Sequence, residues 1–247
     1  MTVSYVVCAT PRSGSTLLCE GLKATGVAGR PEEYFESVPA TGVPRVPGDY
    51  LEGLDDPAAH ALLGTAPPPD PPWYSTLLDV ASWDEHLARV RGWGTTPNGV
   101  FGAKLMWGHL PAPPFEVTHY VWVRRHDQVR QAISLWRAMQ TQSWRSEDDG
   151  GGGHAEYSFS ALRHLTTMLA EHDAAWERYL ADVDVPVLEL SYDEIAADLP
   201  DTLGRTLEHL GIERPPGWPP TLPAMRRQAN AVSDSWYEAF AGERSPT

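Results

Sequence analysis

Basic residues are scarce in this chain: 19 lysines and arginines stand against 33 aspartates and glutamates, a formal net charge of −14. That balance argues against a general binder of nucleic acid or of acidic membrane surfaces, which need a basic face. It also requires any polyanion site to gather its cations locally. Cysteine is nearly absent, and the two present, Cys8 and Cys19, read as buried reduced thiols. No apolar run approaches the ~20 residues of a membrane span. No charged n-region with an apolar h-region opens the chain, so the expected location is cytoplasmic. Histidines are scattered without H-x-x-x-H spacing, and no C-x-x-C or D-x-D stands out, so no metal is expected. What is present suffices for a core. At 247 residues, with 42% hydrophobic content and 10 tryptophans, the chain reads as one globular α/β domain over 1–247.

Apolar and turn residues alternate in a pattern of strands and helices. Tyr5 to Ala9 reads as a strand, and Thr16 to Leu22 leaves it with helical spacing, Leu18 and Leu22 sharing a face. Residues 39–72, rich in Pro and Gly, read as a long irregular insertion or flap. Ser82 is a candidate N-cap, with Glu85 three residues on, for a helix through Arg91. Strands follow at Gly99–Trp107 and Val117–Val123, the latter dominated by β-branched and aromatic residues. Helices are expected from about Asp127 to Gln142 and from about Ser158 to Leu180, separated by an acidic then all-glycine loop over 147–153. A fourth strand is Val185–Leu190. Ser191 to Glu194 caps another helix, Leu199 to Leu210 forms one more, and a short helix over Ser233–Ala241 closes the chain. Strands alternating with helices predict a three-layer fold, a parallel sheet with helices on both faces. Ligands of such sheets bind at the carboxyl ends of the strands, where Arg12 and the Arg124-Arg125 turn should share one edge.

The most informative stretch is Ala9-Thr10-Pro11-Arg12-Ser13-Gly14-Ser15-Thr16. A strand–loop–helix of this kind aims backbone N–H groups and the positive end of a helix dipole at one anion. Laid over G-x-x-x-x-G-K-[ST], it has Ala9 for the first Gly and Ser15 for the Lys. The lysine that reaches a terminal phosphate is missing, while a cation, Arg12, lies inside the loop. The alternative is a tight capped turn. Arg125 with Ser134, at a strand end and in the following helix, can hold a second phosphate; otherwise they are surface polar residues. Met225-Arg226-Arg227-Gln228-Ala229-Asn230 with Ser233 and Trp236 can close over a nucleotide, or form a solvated charge cluster. Taken together, these groups fit a metal-free donor with phosphates at its 5′ and 3′ ends.

At these residues the chain resembles sulfotransferases that use 3′-phosphoadenosine 5′-phosphosulfate (PAPS). The shared features are Pro11-Arg12-Ser13-Gly14-Ser15-Thr16, the pair Arg125 and Ser134, and Tyr192-Asp193-Glu194. It is most similar to the bacterial trehalose 2-sulfotransferase type, through Thr25–Gly29, Pro31-Glu32-Glu33-Tyr34-Phe35, Thr96–Val100, Lys104–Trp107, Gln131–Ala138 and Arg227-Gln228-Ala229. The resemblance implies a P-loop-like sulfotransferase fold and a 5′-phosphosulfate loop at 11–16. It also implies a 3′-phosphate site at Arg125 and Ser134, and a homodimer acting on a sugar or glycosylated small molecule. The product would be adenosine 3′,5′-bisphosphate. By the same resemblance Glu33 is the general base, with Glu32 the local competitor and His109 and His119 weaker alternatives. An acceptor hydroxyl must lose its proton as it attacks sulfur, which suits a positioned carboxylate. Arg12 and Lys104 are the candidate cations for the transferring group, although Lys104 can equally be a strand residue paired with an acid. Trp122, Trp136 and Trp176 read as core, Trp236 as a cover for the adenine, and Trp73, Trp93 or Trp107 as sugar-stacking rings. The rival readings are a small-molecule kinase or NTPase and a catalytically idle nucleotide-binding protein.

Overall fold

Six consecutive buried residues, Ser4–Ala9, form β1, the pattern of a strand covered on both faces. The computed structural model describes residues 2–38, 40–63, 70–110, 112–144, 154–222 and 231–244. β1 leads into α1 (Ser15–Ala24). Next come the short α2 (Pro57–Ala61) and α3 (Trp83–Gly94), then β2 (Phe101–Met106) and β3 (His119–Arg124). α4 (Gln128–Thr141) and α5 (Phe159–Ala181) precede β4 (Val187–Ser191). α6 (Tyr192–Ala197), α7 (Leu199–His209) and α8 (Ala231–Arg244) complete the order. The chain divides into two compact units. The first is Met1–Pro44, Pro71–His126 and His172–Pro223; the second is Arg45–Asp70, Asp127–Glu171 and Ala224–Thr247. No helix of the described residues is long and apolar enough to cross a membrane.

The first unit holds the sheet, whose strands run in the order β2-β1-β3-β4, all parallel. Alternation along the strands builds the two faces. Tyr5 and Val7 of β1 pack with Val121, Val123 and Leu190 beneath α1, α6 and α7, where Leu18, Leu22, Ile195, Leu203 and Leu207 lie buried. Val6 and Cys8 turn to the opposite face, against Phe101, Leu105, Tyr120 and Trp122. Val90 of α3 and Trp176 and Leu180 of α5 cover that side. The expected three layers are therefore present. In register, Ala9 lies beside both Met106 and Val123, and Arg124 beside Ser191. The segments that follow all four strands accordingly leave one edge of the sheet.

The second unit packs α4, α8 and the first part of α5 around Ile133, Trp136, Met139, Leu165 and Phe240. Arg130 pairs with Asp234 at 2.7 Å, and Arg137 donates to Ser233 Oγ at 2.9 Å, both joining α4 to α8. Here the sequence expectation for 39–72 needs correction. Its described residues include a 3-10 turn at Pro47–Leu51 as well as α2. Asp56 accepts from the N–H groups of Ala58 and Ala59, with Pro57 at the first helical position. Leu51 and Ala59 enter the core, so apolar burial and a local cap order a segment whose composition suggested a loop. The glycine loop over 147–153 lies outside the described residues.

The caps expected at Ser82 and Ser191 are formed, and Asp127 adds another. Ser82 Oγ accepts from the N–H of Glu85, Asp127 from that of Arg130, and Ser191 and Glu194 make a reciprocal capping box. The Arg205 hydrogen bond, with those from Ser191, lowers the Glu194 carboxyl to about 2 from an ordinary 4.5. A carboxylate lowered by folding adds stability that is complete above about 4.5 and is lost as pH falls toward about 2. Glu194→Gln should therefore lower the thermal midpoint at neutral pH, with the deficit shrinking as the pH is taken down through that window. A deficit independent of pH in circular dichroism melts would refute the assignment.

Candidate functional site

The turn after β1 takes an unusual backbone path. Ser13 donates its backbone N–H to Thr10 O at 3.3 Å, and Arg12 adopts φ 64°, a left-handed conformation uncommon for a residue with a Cβ. Gly14 is the N-cap of α1 with φ 93°. No side chain caps that helix end, and its first turn holds no acidic residue. Ser13 Oγ is buried and makes no hydrogen bond with a described residue. A buried hydroxyl without a partner carries a desolvation cost of about 1–3 kcal/mol. These features fit an anion seated at the start of α1.

Two aromatic and cationic contacts frame the turn. Arg125, after β3, donates from Nη1 to the carbonyl of Arg12 at 3.3 Å, and its guanidinium lies 4.4 Å from the centroid of the Tyr192 ring. Tyr192 opens α6 directly after β4, and its ring backs Gly14. A Cβ at Gly14 would fall 2.8 Å from Tyr192 Cδ2. Sequence reasoning assigned no role to Tyr192. The capping box at the end of β4 was the available signal, since it places Tyr192 at the strand edge that carries the loop. On the other face, Trp176 Nε1 donates to Ala9 O at 2.8 Å, so this core tryptophan also anchors the strand end.

Lys104 joins the turn to the candidate base. It sits in β2 on the side facing α1, 3% exposed. Its Nζ donates to Thr16 Oγ1 at 3.1 Å and pairs with Glu33 Oε1 at 2.7 Å. Burial alone would pull the ammonium's pKa down. The Glu33 carboxylate offsets that and leaves it raised above the ordinary lysine value. Lys104 is thus both the strand residue paired with an acid and a neighbour of the anion turn. Glu32, buried, pairs instead with Lys23, which also reaches Glu20 at 2.7 Å. The two adjacent glutamates face different lysines, as expected of neighbours in extended chain.

The remaining candidates are dispersed. His119 begins β3, at the sheet edge away from the turn, and burial lowers its imidazole. His109 is buried just beyond β2. Burial pushes the Cys19 thiol up to about 12, and Cys8 and Cys19 are both free and buried, inert as nucleophiles. Trp122 and Trp136 are core, as read from sequence. In the second unit, Ser134 is half-buried on α4. Trp236, read as an adenine cover, is only 8% exposed and packs in that unit's apolar cluster beside Tyr157. Arg227 and Gln228 lie outside the described residues.

A helix-start turn with a buried Ser13 hydroxyl that has no partner among the described residues, flanked by a cation and a carboxylate at a parallel-sheet edge, suits transfer from an anionic donor. The protein comparisons specify the class. A family model described as Stf0 sulphotransferase matches residues 4–114 and 113–243, and the chain belongs to that family. It is 36% identical to a trehalose 2-sulfotransferase of Mycobacterium tuberculosis, over 97% of this chain and 94% of the relative. A trehalose 2-sulfotransferase of Mycolicibacterium smegmatis is 32% identical over 96% of this chain and 94% of its own length. Among solved structures, sulfotransferase STF9 from Mycobacterium avium aligns with a TM-score of 0.47 and 14% identity, over 100% of this chain and 69% of that one. The sequence relatives, not that loose structural likeness, carry the family assignment.

Gly14 offers a test of the turn. Any side chain there meets both the positive φ and the Tyr192 ring. Gly14→Ala should cost about 1–3 kcal/mol in chemical denaturation, and a neutral result would show that the turn can adopt another path.

Proposed function

We propose that this sulfotransferase moves the sulfuryl group of PAPS to a hydroxyl of a sugar, trehalose or a similar glycoside, with Glu33 as the general base. The observation that carries this reading is the Lys104 bridge, which puts one ammonium between Thr16 of the anion turn and the Glu33 carboxylate. The names of the two trehalose-sulfating relatives support the sugar acceptor, and the 11–16 turn supports an anionic donor. Ser13, Gly14, Ser15 and Thr16 would hold the 5′-phosphosulfate, with Arg125 contributing its guanidinium beside the turn. Bound PAPS supplies the sulfuryl group and departs as adenosine 3′,5′-bisphosphate.

The residues' parts follow from charge and proton balance. The ion pair with Lys104 presents Glu33 as a carboxylate, the form that can accept a proton. Glu33 takes the proton of the acceptor hydroxyl as that oxygen forms its bond to sulfur. The bond from sulfur to the bridging phosphate oxygen breaks, and negative charge moves to the departing phosphate. Arg12 and Lys104 are the cations assigned to that developing charge, which fixed charges stabilise more in the transition state than in the ground state. Lys104 keeps its proton throughout, so its contribution is electrostatic.

Two measurements test the reading. Adenosine 3′,5′-bisphosphate should bind the full chain in calorimetry, and no heat at high micromolar concentration would remove PAPS as the donor. Glu33→Gln retains an oxygen to which Lys104 Nζ can donate but cannot take a proton. It should cut sulfation of trehalose by about 100-fold or more while leaving bisphosphate binding intact. Near-native turnover would remove Glu33 as the base.

A further inference from the structure

Glu32 has no part in the chemistry above, yet it is only 7% exposed and stands next to the candidate base. A buried carboxylate needs a cation. Lys23, in the last turn of α1, supplies it. Its Nζ pairs with Glu32 and lies 2.7 Å from Glu20 Oε1, one turn back on the same helix. The main chain of Glu32 is held as well, since its carbonyl accepts the Lys104 N–H at 2.9 Å. Beyond Glu33, Tyr34 and Phe35 are fully buried, and the Tyr34 ring packs against Phe101 and Trp93 with centroids 5.9 and 6.0 Å away. Glu33 therefore sits between two anchors, an ionic one before it and an aromatic one after it.

The ionic anchor shares its field with the site. The buried Cys19 thiol feels Lys104, Glu32, Lys23 and Glu20 together, which puts the four charges around one point of α1. The Lys104 ammonium likewise feels both Glu33 and Glu32. Two carboxylates thus compete for one buried lysine, and Lys23 removes one of them from the competition. Without Lys23, the Glu32 carboxylate would turn its charge on Lys104. It would also add negative charge beside a base that must be ionised and a turn that must hold an anion. Cys19, pushed up to about 12, and Tyr34, also raised by burial, stay neutral at working pH. Two lysines and three carboxylates therefore set the balance.

We propose that Lys23 is a positioning residue for the base: by holding the Glu32 carboxylate it reserves the Lys104 ammonium for Glu33 and the anion turn. The inference rests on the Glu33 reading above and adds to it a residue that acts through Glu32. Thr16 and Lys23 both belong to α1. The helix whose start faces the donor thus also decides, at its other end, which glutamate the buried lysine meets.

The test uses the full chain, with initial rates of trehalose sulfation from PAPS followed across pH. Lys23→Met removes the charge and keeps most of the side chain's length. It should move the acid limb of kcat/KM up by about one pH unit, the effect of an added neighbouring charge, and so cost about tenfold in rate below the limb. Lys23→Arg keeps the charge and should restore the wild-type profile. Lys23→Met combined with Glu32→Gln removes both charges and should restore it too, although the ion pair is gone. An anchor of purely structural value would leave this double variant as impaired as the single one. Glu32→Gln alone should move the limb down. An unmoved limb in Lys23→Met, or no recovery in the double variant, would overturn the inference. Should Lys23→Met fail to fold by circular dichroism, Glu32→Gln decides alone, and a limb that stays or rises overturns it. Glu33→Gln separates this outcome from failure of the base itself. Near-native turnover there removes the base and the inference with it, whereas a slow Glu33→Gln beside an unmoved Lys23→Met limb removes only the part given to Lys23.

Discussion

A lysine ammonium held almost entirely away from water is costly unless charge and hydrogen bonds surround it. Lys104 meets that demand with the Glu33 carboxylate and the Thr16 hydroxyl, and the site takes its shape from that solution. Removing the Glu33 charge would strand the ammonium in low dielectric, so the pair constrains β2, the start of α1 and the 31–35 segment together. The same pair sets the electrostatics. In a chain of net charge −14, a cation cannot be supplied by a general basic surface, and burial strengthens the local one because water screens it little.

The sheet converts this local pair into a site. With every strand parallel and the order β2-β1-β3-β4, the segments after the strands converge on one edge. Each delivers a different chemical part. β1 delivers the anion turn, β3 delivers Arg125, and β4 delivers Tyr192, whose ring supports both Gly14 and the Arg125 guanidinium. Tyr192 is itself positioned by the Ser191–Glu194 capping box. A helix cap thus reaches the anion turn through a single aromatic ring.

Much of this was legible in the residues. The continuous apolar run of β1 and the β-branched and aromatic run of β3 marked buried strands, and the cap residues Ser82 and Ser191 marked their helix starts, because both signals are local. The turn at 10–16 was readable for the same reason, since its geometry needs only neighbouring residues. The segment 45–63 was misread because Pro and Gly are local breakers, while the burial of Leu51 and Ala59 depends on partners far along the chain. Trp236 was read as a nucleotide cover from its polar neighbours, yet its environment is set by packing on α4 and α5. Tyr192, named only as part of a shared motif, was given no contact because its partners, Gly14 and Arg125, are distant in sequence.

The long-range link that matters most is also made by Lys104. Its backbone N–H donates to Glu32 O at 2.9 Å, while its ammonium holds the side chain of Glu33. One residue of β2 therefore fixes both the path of the 31–35 segment and the direction of the carboxylate that follows. Glu32, drawn to Lys23, is turned away from that position. Two adjacent glutamates of identical chemistry are thereby given different surroundings, and the choice between them is made by strand register and not by the acids themselves. A one-residue slip of β2 would reverse the faces of Lys104 and Leu105, and would bury a leucine where Thr16 and Glu33 now meet an ammonium.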